Sequence, residues 1–124
     1  MASPNAAARQ AVQGSYTDPL SNQTVPATGT LAADHIYPQV QIKQLPGFDQ
    51  LTPDQQSAVL NNPANFQGLP KTFNSSKGGQ FPAEWETYRG QPIDQNYIER
   101  NRQFQFQLQQ MLQDQINAFL GQNG

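Results

Sequence analysis

Two stretches decide the fold: LAADHIYP at residues 31–38 and NFQGLPKTFNSSKG at residues 65–78. The first predicts a short strand before Pro38, and the alternation in QVQI at 39–42 predicts a second short strand after it. The first six residues of the later stretch predict another strand, and the residues after them predict a short helix that the closing glycines end. The mixture of short strands and helices predicts an α+β domain.

A helix is predicted in the connection between these two stretches. Thr52 followed by Pro53 is typical of a helix N-terminus, with threonine as the N-cap and proline in the first turn. The helix DQQSAVL continues as far as the turn residues NNP at 61–63.

The longest periodic pattern predicts a C-terminal helix over residues 94–120, with Asp94 as its N-cap and Gly121 as its stop. Its apolar residues recur at spacings of three, four and seven, and they are Tyr97, Phe104, Leu108, Met111, Leu112, Ile116 and Phe119. We expect this stripe to pack on the domain and complete the core. Phe106 lies off the stripe and leaves open a helix that docks on a partner or a second copy.

Residues 1–30 are rich in small and polar side chains and contain few apolar anchors. Because such a segment buries too little surface to offset the entropy of ordering it, we interpret it as a flexible linker or arm. Residues 31–124 then form the folded domain. This arrangement suits the C-terminal part of a larger polypeptide.

The composition excludes several functional classes. The chain has 124 residues, which suffices for one small domain. It contains no Cys, which excludes a disulfide framework and a thiolate zinc site. No apolar run approaches the ~18 residues of a membrane span. A net charge of −2 argues against a strongly basic nucleic-acid binder, although five of the seven Lys and Arg fall within residues 71–102.

Three side chains of the two stretches suit metal-assisted hydrolysis of a phosphodiester. His35 is the only histidine, so it is the only side chain whose ordinary pKa suits a general base near neutral pH. Asp34 and Asn74 supply hard oxygen donors, which favour Mg²⁺ or Mn²⁺ over zinc. Structural roles stay open for each of them: a hydrogen-bonded histidine at a strand end, a turn or cap aspartate, and an asparagine that caps the short helix.

The joint pattern resembles the HNH endonuclease family. Asp34 and His35 stand in DHIYP, Asn65 follows after thirty residues, Asn74 follows nine residues later, and the motif closes with SKG. The resemblance covers residues 34–78. It implies a small ββα-metal core with one inserted helix, and the long amphipathic C-terminal helix would pack alongside.

The resemblance also implies a role for each residue. His35 would deprotonate the attacking water, and Asn65 would hold the histidine ring through its backbone or side-chain oxygen. Asp34 and Asn74 would bind the divalent metal ion.

Two lysines flank the expected site. We expect Lys77 and Lys71 to contact phosphate, and exposed solvated lysine is the alternative for both. Trp85 could stack on a base, although the single Trp of a small domain is more often part of the core.

Residues 51–78 are similar to the HNH nuclease domains at the C-termini of bacterial polymorphic toxins, including those delivered by contact-dependent or type VI systems. This resemblance implies a largely sequence-nonspecific DNA endonuclease delivered into the cytoplasm of a target bacterial cell, and a cognate immunity protein. Three alternatives stay open. They are an RNase on the same fold, a non-catalytic interaction module that uses the C-terminal helix, and a structural fragment of a secreted or phage protein, which the 21 glutamines suggest.

Overall fold

The computed structural model describes residues 4–123, and these residues form an α+β fold. Within that range the helices are α1 (Ala6–Ala11), α2 (Gln39–Ile42), α3 (Pro53–Leu60), α4 (Lys71–Lys77) and α5 (Gln95–Asn123). The strands are β1 (Ser15–Thr17), β2 (Thr24–Pro26), β3 (Ala32–His35), β4 (Phe66–Leu69), β5 (Thr87–Tyr88) and β6 (Gln91–Pro92). They form antiparallel two-stranded sheets, in which β1 pairs with β2, β3 with β4 and β5 with β6.

β3, β4 and α4 are the elements that the two decisive stretches predict. In the antiparallel pair, Asp34 lies opposite Gln67 and His35 opposite Phe66. Pro70 follows β4 directly and ends the strand, because proline lacks the N–H that would extend the ladder. It occupies the N-cap position of α4. The helix ends at Gly78, whose φ of 58° lies in the left-handed region. β4 and α4 therefore both lie beside the end of β3.

Residues 39–42 form the short helix α2, so the strand predicted there is wrong. The backbone N–H groups of Gln41 and Ile42 donate to the Pro38 carbonyl, which begins a helical turn directly after the proline. Ile42 is fully buried, whereas Val40 is exposed. Four residues of alternation fit a helical turn as well as a strand, and the burial of Ile42 decides between them.

Helix α3 begins and ends where the sequence predicts. The Thr52 hydroxyl accepts from the Gln55 N–H and the Gln55 side chain accepts from the Thr52 N–H, which forms a capping box. After the helix, the Asn62 side chain donates to the Gln115 side chain of α5 at 2.9 Å. This hydrogen bond holds the inserted helix, which lies between β3 and β4 in the chain, against α5.

The N-terminus of α5 is confirmed, and its C-terminus differs from the prediction. The Asp94 carboxylate accepts from the N–H groups of Asn96 and Tyr97, as an N-cap does. The helix continues through Gly121 to Asn123, so the predicted stop is wrong. With 29 residues, α5 spans about 43 Å.

Helix α5 packs on two separate apolar clusters. Near its start, Tyr97 and Ile98 pack with Trp85 and Ile93. Further along, three residues of α5 pack with the segment between β3 and α3; they are Leu108, Leu112 and Ile116.

The predicted stripe of α5 needs one correction, because two of its members are exposed. Phe104 and Met111 lie on the solvent side, as does Phe106, which is 64% exposed. None of the helices within residues 4–123 is both long and apolar enough to cross a membrane.

Residues 4–30, for which the composition predicts a flexible linker or arm, hold α1 and the β1–β2 pair. The Gln13 side chain donates to the Leu31 carbonyl at 2.9 Å and accepts from the Leu31 N–H at 2.8 Å. A Cβ at Gly68 would overlap the Val12 carbonyl oxygen, so the glycine lets the end of α1 lie directly on β4. A count of apolar residues does not detect this packing, because polar and backbone contacts make it.

The β5–β6 hairpin turns at Arg89 and Gly90. Tyr88 lies opposite Gln91, so the loop has two residues. Both have positive φ, 48° at Arg89 and 81° at Gly90, as a type I′ turn requires. The turn places the Arg89 side chain beside α4.

Candidate active site

His35 lies at the end of β3, and one of its ring nitrogens is held by a backbone carbonyl. Its Nε2 atom lies 2.8 Å from the Leu60 carbonyl oxygen. Because a carbonyl only accepts, Nε2 carries the proton in this contact, and a neutral ring then has its lone pair on Nδ1. The Gln39 Nε2 atom lies 3.5 Å from Nδ1. Nδ1 is therefore the nitrogen that can take up a proton.

The inserted helix α3 supplies the carbonyl that holds His35. Leu60 is the last residue of α3, and the final carbonyls of a helix have no partner within it. The imidazole N–H satisfies one of them. The inserted helix thus sets the tautomer of His35.

Burial lowers the pKa of His35 from its ordinary value of 6.5. The Leu60 carbonyl and the Asp34 carboxylate act in the opposite direction, and the Lys77 ammonium adds to the lowering. The Phe66 ring, whose centroid lies 4.4 Å from that of His35, contributes to the burial. Because the pKa is lowered, the ring is neutral at pH 7, which is the state that a general base needs.

The Asp34 carboxylate is buried and has a partner on each oxygen. The residue is 4% exposed, its Oδ1 lies 3.0 Å from Lys77 Nζ, and its Oδ2 accepts from Gln67 Nε2 at 2.9 Å. Lys77 is itself only 1% exposed and also donates to the His35 carbonyl at 3.1 Å. Lys77 therefore ties the carboxylate to the backbone of the neighbouring histidine.

Burial raises the pKa of Asp34 above its ordinary value of 3.8. The charge of Lys77 and the hydrogen bonds from Gln67 and Lys77 lower it, but burial is the largest cause. Each carboxylate oxygen keeps a further lone pair beyond the bonds already described.

Asn65 is fully buried and fixes the chain just after His35. Its side-chain oxygen accepts from the Tyr37 N–H at 2.7 Å, and its side-chain nitrogen donates to the Tyr37 carbonyl at 2.9 Å. Its own carbonyl accepts from the Ile36 N–H at 3.0 Å. These bonds hold the backbone and not the ring, so the expected contact with the imidazole is corrected: the Leu60 carbonyl makes it. Asn65 is a positioning residue.

Asn74 borders the same cavity as Asp34 and His35. It lies in the middle of α4, so the alternative that it caps this helix is wrong. The cavity has a volume of about 170 Å³, and we call it the His35 cavity. The Asn74 side chain forms no hydrogen bond with another residue of the described range. β3 and α4 thus bring together three of the predicted site residues from two distant stretches.

The donors around the His35 cavity fit a hard divalent cation. The Asp34 carboxylate and the Asn74 side-chain oxygen are the ligand types that Mg²⁺ and Mn²⁺ prefer. Within residues 4–123 there is no group of three or more His, Cys, Asp or Glu side chains placed to hold a metal ion. Asp34 and Asn74 are therefore the residues that would hold a divalent ion here, with water and substrate oxygens completing its shell.

The two lysines lie differently from the expectation. Lys77 is paired with Asp34 inside the protein, and a phosphate could reach it only if this ion pair opened. Lys71 is exposed and lines another cavity, on a different side of α4. Trp85 is buried, and its indole N–H donates to the Ser76 hydroxyl at 3.1 Å, so it is a core residue.

Two groups of the site were missed in the sequence. Gln67 lies opposite Asp34 in the β3–β4 register, so a correct strand alignment would have found it. The Leu60 carbonyl has no signature in the sequence, because a backbone group looks the same at every position. Its only signal is the predicted end of α3.

Comparison of the chain with protein-family models, with curated proteins and with solved structures found no match. The assignment of a function therefore depends on the residues and their geometry.

Proposed function

We propose that the chain is a metal-dependent endonuclease of the HNH type, with β3, β4 and α4 as its ββα-metal core. One observation carries the proposal: the unprotonated Nδ1 of His35 belongs to a ring that borders one cavity with two oxygen donors, Asp34 and Asn74. Asp34 and Asn74 are forty positions apart in the chain, and His35 is next to Asp34. The same spacing carries the resemblance to the HNH family.

In this proposal His35 activates the attacking water. The water gives a proton to Nδ1, its oxygen bonds to phosphorus, and the P–O bond to the leaving oxygen breaks. The Leu60 carbonyl stabilises the imidazolium that forms, because it already accepts from Nε2. A divalent ion held by Asp34 and Asn74 would neutralise charge on the phosphoryl oxygens and stabilise the leaving alkoxide. Lys77 and Gln67 keep the Asp34 carboxylate in place.

DNA is the proposed substrate, cleaved largely without sequence preference. The support is the resemblance of residues 51–78 to toxin nuclease domains. The same resemblance supports delivery into the cytoplasm of a target bacterial cell and a cognate immunity protein as further parts of the proposal.

The test is degradation of plasmid DNA by the purified chain. The assay compares Mg²⁺, Mn²⁺ and a chelator, and it includes structured RNA as a second substrate. We expect cleavage of the plasmid with either metal ion and none with the chelator. His35→Ala removes the base, and we expect a loss of at least about 100-fold in rate. Asn74→Ala removes one of two metal ligands, and a loss of similar size is expected.

Asn117→Ala serves as the matched control, because Asn117 is exposed on α5 far along the chain from the motif. We expect it to cleave at the parent rate. Circular dichroism checks that each variant is folded. Equal rates for His35→Ala and the parent protein would refute the assigned base, and an intact plasmid in every condition would refute the nuclease. If RNA is cleaved in preference to DNA, RNA replaces DNA as the proposed substrate.

A further inference from the structure

We propose that a second cavity, between α4 and the β5–β6 hairpin, binds a backbone phosphate of the nucleic acid next to the cleaved bond. This inference rests on the proposed nuclease function and adds the subsite that holds the substrate. The cavity has a volume of about 430 Å³, and we call it the Lys71 cavity. Its lining residues are Lys71, Thr72, Ser75, Ser76, Tyr88 and Arg89.

The charge of the Lys71 cavity suits an anion. Its lining includes one lysine, one arginine, four hydroxyl groups and no carboxylate. Within residues 4–123 neither Lys71 nor Arg89 forms an ion pair, so both charges are available to a ligand. Another surface cavity, lined by Glu86 and Arg102, differs because it holds a carboxylate and its arginine is paired with Glu99.

The walls of the Lys71 cavity are held in place by aromatic packing. The Tyr88 ring lies 4.4 Å from the Phe73 ring of α4, measured between centroids, and also contacts Trp85. The Trp85 N–H donates to the Ser76 oxygen, which leaves the hydroxyl hydrogen of Ser76 free to point to an acceptor. The hairpin and the helix therefore present a fixed pair of walls.

The backbone places Arg89 in an unusual conformation that aims it at the cavity. Its φ of 48° is uncommon for a residue other than glycine, asparagine or aspartate. Its guanidinium carbon lies 5.1 Å from the centre of the Tyr88 ring, over the ring face. An arginine at a strained turn position, stacked and unpaired, is more typical of a binding residue than of a turn residue.

The position of the cavity favours a nucleic acid as its ligand. Lys71 and Ser75 face it from α4, whereas Asn74 on the same helix faces the His35 cavity. Lys71 and Asn74 are three residues apart on α4, so they are neighbours on the helix surface. A nucleic-acid strand bound in the His35 cavity would therefore pass the Lys71 cavity with a phosphate next to the cleaved bond.

The test measures binding separately from cleavage. Fluorescence anisotropy with a labelled 16-base-pair DNA duplex is recorded with the full chain in the presence of a chelator, over a series of salt concentrations. We expect Lys71→Ala/Arg89→Ala to weaken binding about tenfold. The slope of log K against log salt should become less steep by about one, because the contact with one phosphate is lost.

The matched control is Lys43→Ala/Arg102→Ala, which removes the same net charge from residues outside the Lys71 cavity. An equal loss of affinity in this control, or no binding by the parent chain, would overturn the subsite. The charge-preserving pair Lys71→Arg/Arg89→Lys should bind within about threefold of the parent.

Cleavage assays with metal separate the two proposals. If both hold, Lys71→Ala/Arg89→Ala raises KM with kcat nearly unchanged. If the chain cleaves DNA and this pair binds and cleaves like its control, the subsite is refuted and the nuclease stands. If the pair alone weakens binding and no variant cleaves, the Lys71 cavity stands only as a phosphate-binding site for nucleic acid and the nuclease is refuted.

Discussion

Helix α4 has two differently built sides. Towards the His35 cavity it contributes Asn74 and the buried Lys77, whose ammonium is bonded to Asp34 and to the His35 carbonyl. Towards the Lys71 cavity it contributes exposed lysine and hydroxyl side chains, and Arg89 of the β5–β6 hairpin completes that cavity. On the first side the charged group, Lys77, is already bonded to Asp34 and His35, whereas on the second side Lys71 and Arg89 have no ionic partners in the described range.

This difference matches two different demands. A group that transfers a proton must keep one tautomer and one position, so its neighbours are buried and their hydrogen bonds are satisfied. A group that binds a flexible polyanion needs available charge more than a fixed position. Variants on the two sides of α4 should therefore fail in different ways, through folding on one side and through binding on the other.

The largest effect is expected from Lys77→Met. This change leaves the buried Asp34 carboxylate without its ionic partner, and breaking a buried pair costs about 3–5 kcal/mol. Lys71→Met on the same helix is the matched control, and it should change the free energy of unfolding by less than about 0.5 kcal/mol because Lys71 is exposed. Urea unfolding measures both.

The double variant Asp34→Asn/Lys77→Met sharpens this result. It removes the buried charge together with its partner, so we expect it to be more stable than Lys77→Met alone. Similar small losses for Lys77→Met and Lys71→Met would show that the two sides do not differ in the way described.

The next effect separates the two asparagines of the motif. Asn65→Ala leaves the buried N–H and carbonyl of Tyr37 without partners, which costs about 2–4 kcal/mol. Asn74→Ala removes a side chain without hydrogen bonds in the described range, so a loss below about 1 kcal/mol is expected. Thermal unfolding of both variants measures the difference. If Asn74→Ala proved the more destabilising, Asn74 would have the structural role.

A structural feature could be predicted from the sequence where a side chain determines it. The capping box of α3 and the N-cap of α5 lie where their side chains indicate. Asp34, His35 and Asn74 could be selected because their chemistry and spacing are distinctive, and the structure places all three around one cavity.

The rest depends on tertiary contacts that no local pattern contains. The Leu60 carbonyl orients His35, and Lys77 is taken out of solvent by a partner 43 residues away. Arg89 joins Lys71 only because a two-residue turn folds the hairpin onto α4. The alternation at 39–42 gave the wrong element, because burial of Ile42 against the core decided its conformation.

The smallest expected effect is a change of the free energy of unfolding with pH, which arises from His35. Burial lowers the pKa of His35, so below pH 6.5 the unfolded chain takes up a proton before the folded one does. The free energy of unfolding therefore falls as the pH drops from 6.5 through the lower folded value. Asp34 has a raised pKa and acts with the opposite sign, because the folded state takes up this proton at a higher pH than the unfolded chain does.

Urea unfolding of the parent chain and of His35→Gln between about pH 8 and pH 5 isolates the contribution of the histidine. We expect the stability of the parent relative to His35→Gln to fall as the pH falls. Thr72→Ala, on the Lys71 side, removes no titrating group and should follow the parent at every pH. If the free energies of unfolding of the parent and His35→Gln differed by the same amount at every pH, the pKa of His35 would not be lowered.

Nitrogen NMR of the imidazole tests the proposed base most directly, because His35 is the only histidine and its signals need no assignment. At pH 7 we predict a neutral ring with the proton on Nε2 and an unprotonated Nδ1. A ring that carries its proton on Nδ1, or one that is doubly protonated at this pH, would contradict the role given to the Leu60 carbonyl and to His35.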